Sequence, residues 1–324
     1  MNSNISRKAT REKTIKGAAY LKAAIWKIDR FAIHDGPGIR TNIYFKGCPL
    51  SCLWCSNPEG QLQGDELGFS VNKCTGCGLC FNVCPRGAIK TQDGTPLLDF
   101  EKCDLCEKCI EVCSPGALYI YGGYYALSQI MDIAERDRHI YRRSGGGITC
   151  TGGEPLIQTK FVQQLLARCH EVGIHTVVET CGCISRNKFI NSLPNIDWLF
   201  FDLKHISNDR HRELTGKDNV IILDNLRTAS KVLSEAGKTL VIRQVVVPGL
   251  NDEDNIATLA RLVSELPHVD MIELLPYHNY GMHKYQTLGR NYQLNYLALP
   301  STDKLKKYKE IIENYGITCK IGGL

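Results

Sequence analysis

The sequence predicts an α/β chain: a partial β/α barrel that carries a small cysteine-rich insertion. Three observations point there. From about residue 126 to the end, apolar strand-like segments alternate with amphipathic helical ones. About six such units can be traced from residue 25 onward, too few for a closed (β/α)8 barrel. Residues 62–118 interrupt the alternation and are dense in Cys, Gly and Pro.

The elements follow in order. IWKIDRFAI (25–33) and TNIYFKG (41–47) read as strands, with an irregular turn forced between them by Gly36, Pro37 and Gly38. Residues 126–140 read as a helix before a strand at 146–152, and residues 158–172 as a helix before a strand at 173–180. IDWLFFDLK (196–204) is continuously apolar, as a buried parallel strand should be. Helices at about 219–236, 252–266 and 301–315 precede strands at 238–247, 269–277 and about 317–321. Strand–helix alternation at this spacing implies a parallel sheet joined by right-handed crossovers. The architecture is therefore a TIM-like barrel of about six units with an open side, built from 23–61 and 119–324. Residues 1–22 have scattered Lys and Arg without an apolar core, so a solvated basic tail is expected and a secretory signal is not.

Composition narrows the chemistry. The 324 residues carry a net charge of +5, too mild to argue for nucleic acid. No apolar run reaches the length of a membrane helix, which points to a cytoplasmic protein with no membrane partner. Cysteine is the outlier. There are 16, and 11 of them fall between positions 48 and 113 in three clusters. Clustered thiols at short spacing in a long chain without a signal peptide read as metal ligands, not as a disulfide scaffold.

The first cluster is Cys48-x3-Cys52-x2-Cys55, just after a strand, where barrels place their active sites. Three thiolates can hold three irons of a 4Fe-4S cluster and leave the fourth without a protein ligand, the open position a catalytic metal needs. A zinc knuckle would require a fourth Cys or His close by, and none follows Cys55 before Cys74. The second and third clusters are Cys74-x2-Cys77-x2-Cys80-x3-Cys84 and Cys103-x2-Cys106-x2-Cys109-x3-Cys113. This is two-cluster ferredoxin spacing, in which the last Cys of each run ligates the other cluster. One 4Fe-4S cluster then takes Cys74, Cys77, Cys80 and Cys113, and the other takes Cys103, Cys106, Cys109 and Cys84. Fully ligated clusters move electrons, so 62–118 is a ferredoxin-like module.

Other candidates end strands. Gly152 and Gly153 allow close approach of a ligand to the backbone, and Glu154 offers a carboxylate to an ammonium group. Lys204 and Arg243 suit a ligand carboxylate. Glu179 and Asp202 suit a cation or hydroxyl groups, and His278 follows the last long apolar strand. Cys150, Cys169, Cys181, Cys183 and Cys319 show no ligand spacing and are expected to pack as small apolar groups, with Cys181-Gly-Cys183 left open.

Cys-x3-Cys-x2-Cys followed by GGE resembles the radical S-adenosylmethionine (SAM) superfamily. DGPGIR (35–40), YRRSGGGITCTGGEP, VVETCG, FFDLKH, RQVVVPGLND and ELLPYHNYG together resemble its glycyl radical enzyme activating enzymes, across about residues 25–324. The larger members with an inserted two-cluster module match best, above all activases of cobalamin-independent diol dehydratases and related lyases. The resemblance implies that Cys48, Cys52 and Cys55 hold the catalytic cluster, with Trp54, Cys55 and Ser56 beside the bound SAM. Gly152, Gly153 and Glu154 would meet its amino group. Asp202, Leu203, Lys204, Arg243 and His278 would lie along its methionine and ribose parts. Glu179, Thr180 and Asp202 would frame a monovalent cation. The implied partners are a glycyl radical enzyme and an external one-electron donor of flavodoxin or ferredoxin type. Two other readings stay open: a radical enzyme acting on another substrate, and a ferredoxin-like electron carrier whose barrel is a docking platform.

Overall fold

The computed structural model describes residues 21–92 and 95–322, so nearly all of the expected basic tail lies outside the described residues. The strands are β1 (Lys22–Ala32), β2 (Arg40–Phe45), β3 (Glu66–Phe69), β4 (Ile89–Gln92), β5 (Thr95–Leu98), β6 (Leu118–Tyr121), β7 (Tyr124–Ala126), β8 (Gly147–Gly152), β9 (His175–Thr180), β10 (Trp198–Asp202), β11 (Thr239–Val246), β12 (Met271–Pro276) and β13 (Cys319–Ile321). The helices are α1 (Leu79–Val83), α2 (Lys108–Glu111), α3 (Leu127–Arg136), α4 (Arg138–Ser144), α5 (Thr159–Glu171), α6 (Arg186–Ser192), α7 (Asn208–Thr215), α8 (Val220–Ala236), α9 (Glu253–Ser264), α10 (Met282–Thr287) and α11 (Thr302–Glu313).

One nine-stranded sheet runs in the order β13-β12-β11-β10-β9-β8-β2-β1-β7. The strands β2, β8, β9, β10, β11, β12 and β13 pair in parallel. Each new strand joins on the same side as the one before. A doubly wound sheet would reverse direction at a switch point, so this order is that of a barrel in progress. The pairings run from β13 at one end to β7 at the other and do not close the ring.

The first strand departs from expectation. β1 pairs antiparallel with β2 and β7, so it opens no β/α unit. Only seven residues (33–39) join β1 to β2, and a parallel crossover needs a dozen or more. The expected helix at 126–140 is also broken. Asp137 sits between α3 and α4. Its carboxylate accepts from Arg30 Nε at 2.7 Å and Nη2 at 2.5 Å and from the Thr41 hydroxyl at 3.4 Å, which ties the break to β1 and β2.

Helices cover the outer face of the sheet. In α5, Phe161, Val162, Leu165, Leu166 and Cys169 fall on one stripe and are buried. They pack with Ile148 and Cys150 of β8, Val178 of β9 and Leu199 and Phe201 of β10 in the main core. Each such side chain contributes about 1.5–3 kcal/mol on leaving water. Cys150, Cys169 and Cys319 belong to this core.

DGPGIR and SGGG explain one another. Gly38 has φ +65°, and a Cβ there would run into the backbone of Ser144, Gly145 and Gly146. Arg40 next to it is fully buried. Its guanidinium donates to Thr149 Oγ1 at 2.7 Å, to the Pro37 carbonyl at 2.9 Å and to the Ile148 carbonyl. Burial lowers its pKa to about 10, still charged at neutral pH. Gly38→Ala should therefore destabilise the protein by about 3 kcal/mol, through positive φ and backbone collision together. Anaerobic thermal or denaturant unfolding beside wild type reads this out, and an unchanged midpoint would contradict it.

Candidate active site

Alternation along the parallel strands builds the site. One face of β9, β10 and β11 buries Val178, Leu199, Phe201, Leu240 and Ile242 under helices. The other face starts with a small apolar floor of Val177, Phe200 and Val241. Two residues further on, that inner face carries Glu179, Asp202 and Arg243. Above them lies a cavity of about 420 Å³, in the size range of small-molecule sites. Cys48, Cys52, Cys55, Trp54 and Ser56 line it from the loop after β2. Gly152, Gly153, Glu179, Thr180, Asp202, Lys204, Arg243 and His278 line it from the strand ends.

Backbone hydrogen bonds hold the cysteine loop. Ser51 N–H donates to the Thr215 carbonyl at 2.8 Å and Leu53 N–H to the Leu214 carbonyl at 3.0 Å, both at the end of α7. From the other side, Lys284 Nζ of α10 donates to the Ser56 carbonyl at 3.1 Å and Asn57 Oδ1 at 2.9 Å, and pairs with Glu59 at 2.8 Å. Burial pushes the Cys55 thiol up to about 11, and Cys52 further still. Cys48 is lowered by a hydrogen bond shared with Cys181, which is raised by the same bond.

The charged residues largely satisfy one another. Arg243 Nη1 donates to Glu179 at 2.5 Å and its Nε to Glu273 at 2.7 Å, over the Phe200 ring at 3.5 Å. Burial raises the Glu179 carboxyl to about 7, against the pull of Arg243. Burial would lower Arg243, but Glu179 and Glu273 outweigh it and hold the guanidinium charged. Lys204 Nζ pairs with Asp202 at 3.0 Å. Both cations still line the cavity, where the sequence reading places them for a ligand carboxylate.

Two expected contacts sit elsewhere. Glu154 is fully buried and does not line the cavity. Its carboxylate accepts from Leu156 N–H at 3.0 Å, Cys181 N–H at 2.8 Å and the Thr180 hydroxyl at 2.8 Å, so it ties β8 to the end of β9. Leu203 belongs to the main core, because strand alternation turns it away from Asp202. The glycines also differ in their reason. A Cβ on Gly153 would collide with the Gly47 and Gly60 carbonyls, and one on Gly152 with the backbone of Phe45. Both serve close packing of chain on chain as well as the cavity wall.

The structure adds residues the sequence reading did not assign to the site. Asp35, Asn57, Thr151, Cys181 and Tyr277 line the cavity. Thr151 donates to Glu179 at 2.5 Å. Asp35 stood in the noted DGPGIR segment, whereas Lys284 lies 228 residues from Ser56 and gave no sequence signal.

Between β2 and β7, β3 pairs with β6 and β4 with β5, in two small antiparallel sheets. One cavity there is lined by Cys84, Cys103, Cys106 and Cys109, and another by Cys74, Cys77, Cys80 and Cys113. Among the described residues, no three His, Cys, Asp or Glu side chains converge tightly enough to hold a single metal ion. The thiols instead surround rooms, and soft thiolates around a room suit an iron–sulfur cluster.

Residues 42–262 match the model of the radical SAM superfamily. The chain is 38% identical to the trans-4-hydroxy-L-proline dehydratase activating enzyme of Clostridioides difficile, over 91% of this chain and 98% of the relative. It is 40% identical to the isethionate sulfite-lyase activating enzyme of Desulfovibrio desulfuricans, over 87% and 92%. It is 38% identical to the choline trimethylamine-lyase activating enzyme of Oleidesulfovibrio alaskensis, over 93% and 98%. A radical SAM methyltransferase from Sphaerobacter thermophilus shares the fold, with TM-score 0.52 at 17% identity over 87% of this chain and 66% of that one. The chain belongs to the radical SAM superfamily, and within it to the glycyl radical enzyme activating enzymes. No helix among the described residues is long and apolar enough to cross a membrane.

Arg243→Met leaves the partly buried Glu179 and Glu273 without their cation. It should cost about 1.5–3 kcal/mol of stability, seen as a lower unfolding midpoint. A midpoint equal to wild type would show that the pair is not held as described.

Proposed function

We propose that this activating enzyme holds a 4Fe-4S cluster on Cys48, Cys52 and Cys55 and uses SAM to form a radical on a glycine of a partner glycyl radical enzyme. The observation that carries this is the single cavity shared by those three thiols with Gly152, Gly153, Asp202 and His278. When bound and reduced, the cluster supplies the electron that splits the sulfonium C–S bond of SAM, giving methionine and a 5′-deoxyadenosyl radical that takes hydrogen from the glycine.

The chain's own residues bind, orient and exclude water. Three thiolates leave one iron for a ligand. The cavity's acidic groups, Asp35, Glu179 and Asp202, offset Lys204 and Arg243, so the wall carries no cationic excess against a sulfonium. Trp54 is 4% exposed and packs with Leu214, Val247 and Tyr277, which keeps the floor of the cysteine loop dry. His278 stacks on Tyr280 at 4.5 Å at the cavity rim. Glu179 and Thr180 are already engaged by Arg243 and Glu154, so a monovalent cation is left out of the reading.

Residues 62–118 are read as a ferredoxin-like module with two further 4Fe-4S clusters, fed by an external one-electron donor. Grouping of the eight thiols into two sets of four supports this, each set borrowing one cysteine from the other run. The relatives named above serve a dehydratase and two lyases, and this chain's partner belongs to the same broad class of large radical enzymes.

The test is anaerobic. Protein reconstituted with iron and sulfide, reduced and given SAM should release 5′-deoxyadenosine. The Cys48→Ala, Cys52→Ala, Cys55→Ala triple variant should lose that product and about four irons per chain. Product that persists in the triple variant, or its absence from fully loaded wild type, would overturn the assignment.

A further inference from the structure

The two four-cysteine cavities differ in where they sit relative to the barrel. β3 and β6 pair as Glu66 with Tyr121, Leu67 with Ile120, Gly68 with Tyr119 and Phe69 with Leu118. The first of these pairs is the barrel end. Glu66 accepts from Lys46 Nζ at 3.0 Å and from Arg290. The Tyr121 carbonyl accepts from Lys46 at 3.2 Å, and its hydroxyl lies 3.4 Å from that of Thr287. Leu67 and Ile120, one pair further out, line the cavity of Cys84, Cys103, Cys106 and Cys109. Phe69 and Leu118, three pairs out, line the cavity of Cys74, Cys77, Cys80 and Cys113. The offset of two residues is about 7 Å along the strands.

A second contact agrees. Phe100 lines the first cavity, and its ring lies against Gly289 of the barrel, where a Cβ would collide with it. Among the described residues, no side chain lining the second cavity makes a hydrogen bond or ion pair with the barrel.

We propose that the two cysteine sets work in series: Cys84, Cys103, Cys106 and Cys109 form the inner station beside the barrel, and Cys74, Cys77, Cys80 and Cys113 form the outer one. This rests on the reading that each set holds a cluster. One electron leaves a reduced carrier protein, is held at the outer set and then at the inner set, and ends at Cys48, Cys52 and Cys55. There it is consumed as the sulfonium C–S bond breaks, sulfur leaving as a neutral thioether and carbon as the radical. Tunnelling falls off steeply with distance, so an electron reaching the barrel leaves from the nearer, inner set. Cys77 and Leu79 of the outer set's cavity are exposed, within reach of a carrier protein. Cys106 is exposed as well, so the order rests on which end of β3 and β6 touches the barrel.

The test uses the full, reconstituted chain and magnetic relaxation. Wild type must first hold three clusters, one of them with an electron resonance signal that SAM shifts. Fewer clusters would sink the underlying reading itself, before any variant is made. The microwave power that half-saturates the SAM-shifted signal is then compared in two variants. In Cys103→Ala, Cys106→Ala, Cys109→Ala the nearest fast-relaxing neighbour is gone, and that power should drop several-fold. In Cys74→Ala, Cys77→Ala, Cys80→Ala it should stay near wild type. If a triple variant sheds the whole module's iron, the single substitutions Cys77→Ala and Cys106→Ala repeat the comparison. A larger drop in the outer variant, or equal effects in both, would overturn the order.

Discussion

Everything at this site depends on the two-residue period of a β-strand. In FFDLK, Phe200 and Asp202 face the cavity side while Phe201 and Leu203 face the helices. The same step places Val177 below Glu179 and Val241 below Arg243. The apolar residue of each pair seals the floor, and the charged one meets the ligand space above. A register slip of one residue would carry every charge into the core and every core side chain into the cavity. The register is held because the outer face is buried against α5, α8 and α9.

A second constraint ties the cysteine loop to the rest of the chain. Lys46 is fully buried and reaches Glu66, the Glu59 carbonyl and the Tyr121 carbonyl. Arg290 adds the Pro58 carbonyl and a second contact to Glu66. Lys284 adds Glu59, Asn57 and the Ser56 carbonyl. Three cations and two carboxylates thus join the loop after Cys55, the C-terminal segment and the first strand of the cysteine-rich region. Buried charges of this kind contribute little net stability but penalise any arrangement that unpairs them. They fix the position of the thiols relative to the cysteine-rich region.

Much of this was legible in the sequence, for reasons that can be named. Buried parallel strands are apolar runs of fixed length, so β8 to β12 stood out with their helices. Short cysteine spacing is a local signal, and the crossed grouping of Cys84 and Cys113 follows from a known spacing rule. The rest depended on contacts between distant segments. β1 looks like any other apolar strand, and only the short loop to β2 makes it antiparallel. Glu154 reads as a ligand contact in the sequence, which cannot show its bonds to Thr180 and the Cys181 amide. Leu203 stands between two cavity residues in the sequence, and strand alternation turns it to the helices. Lys284, Arg290 and Lys46 carry no motif, and the roles of Lys284 and Arg290 exist only once 230 or so residues of chain have been folded back.

The central claim is that Cys48, Cys52 and Cys55 leave one iron open and that SAM takes it. The most direct measurement is electron–nuclear double resonance on the reduced, fully loaded protein with SAM carrying nitrogen-15 in its amino group. The account predicts a coupling from that nitrogen to the catalytic cluster. An intact, reduced cluster that shows no coupling to bound SAM would contradict it.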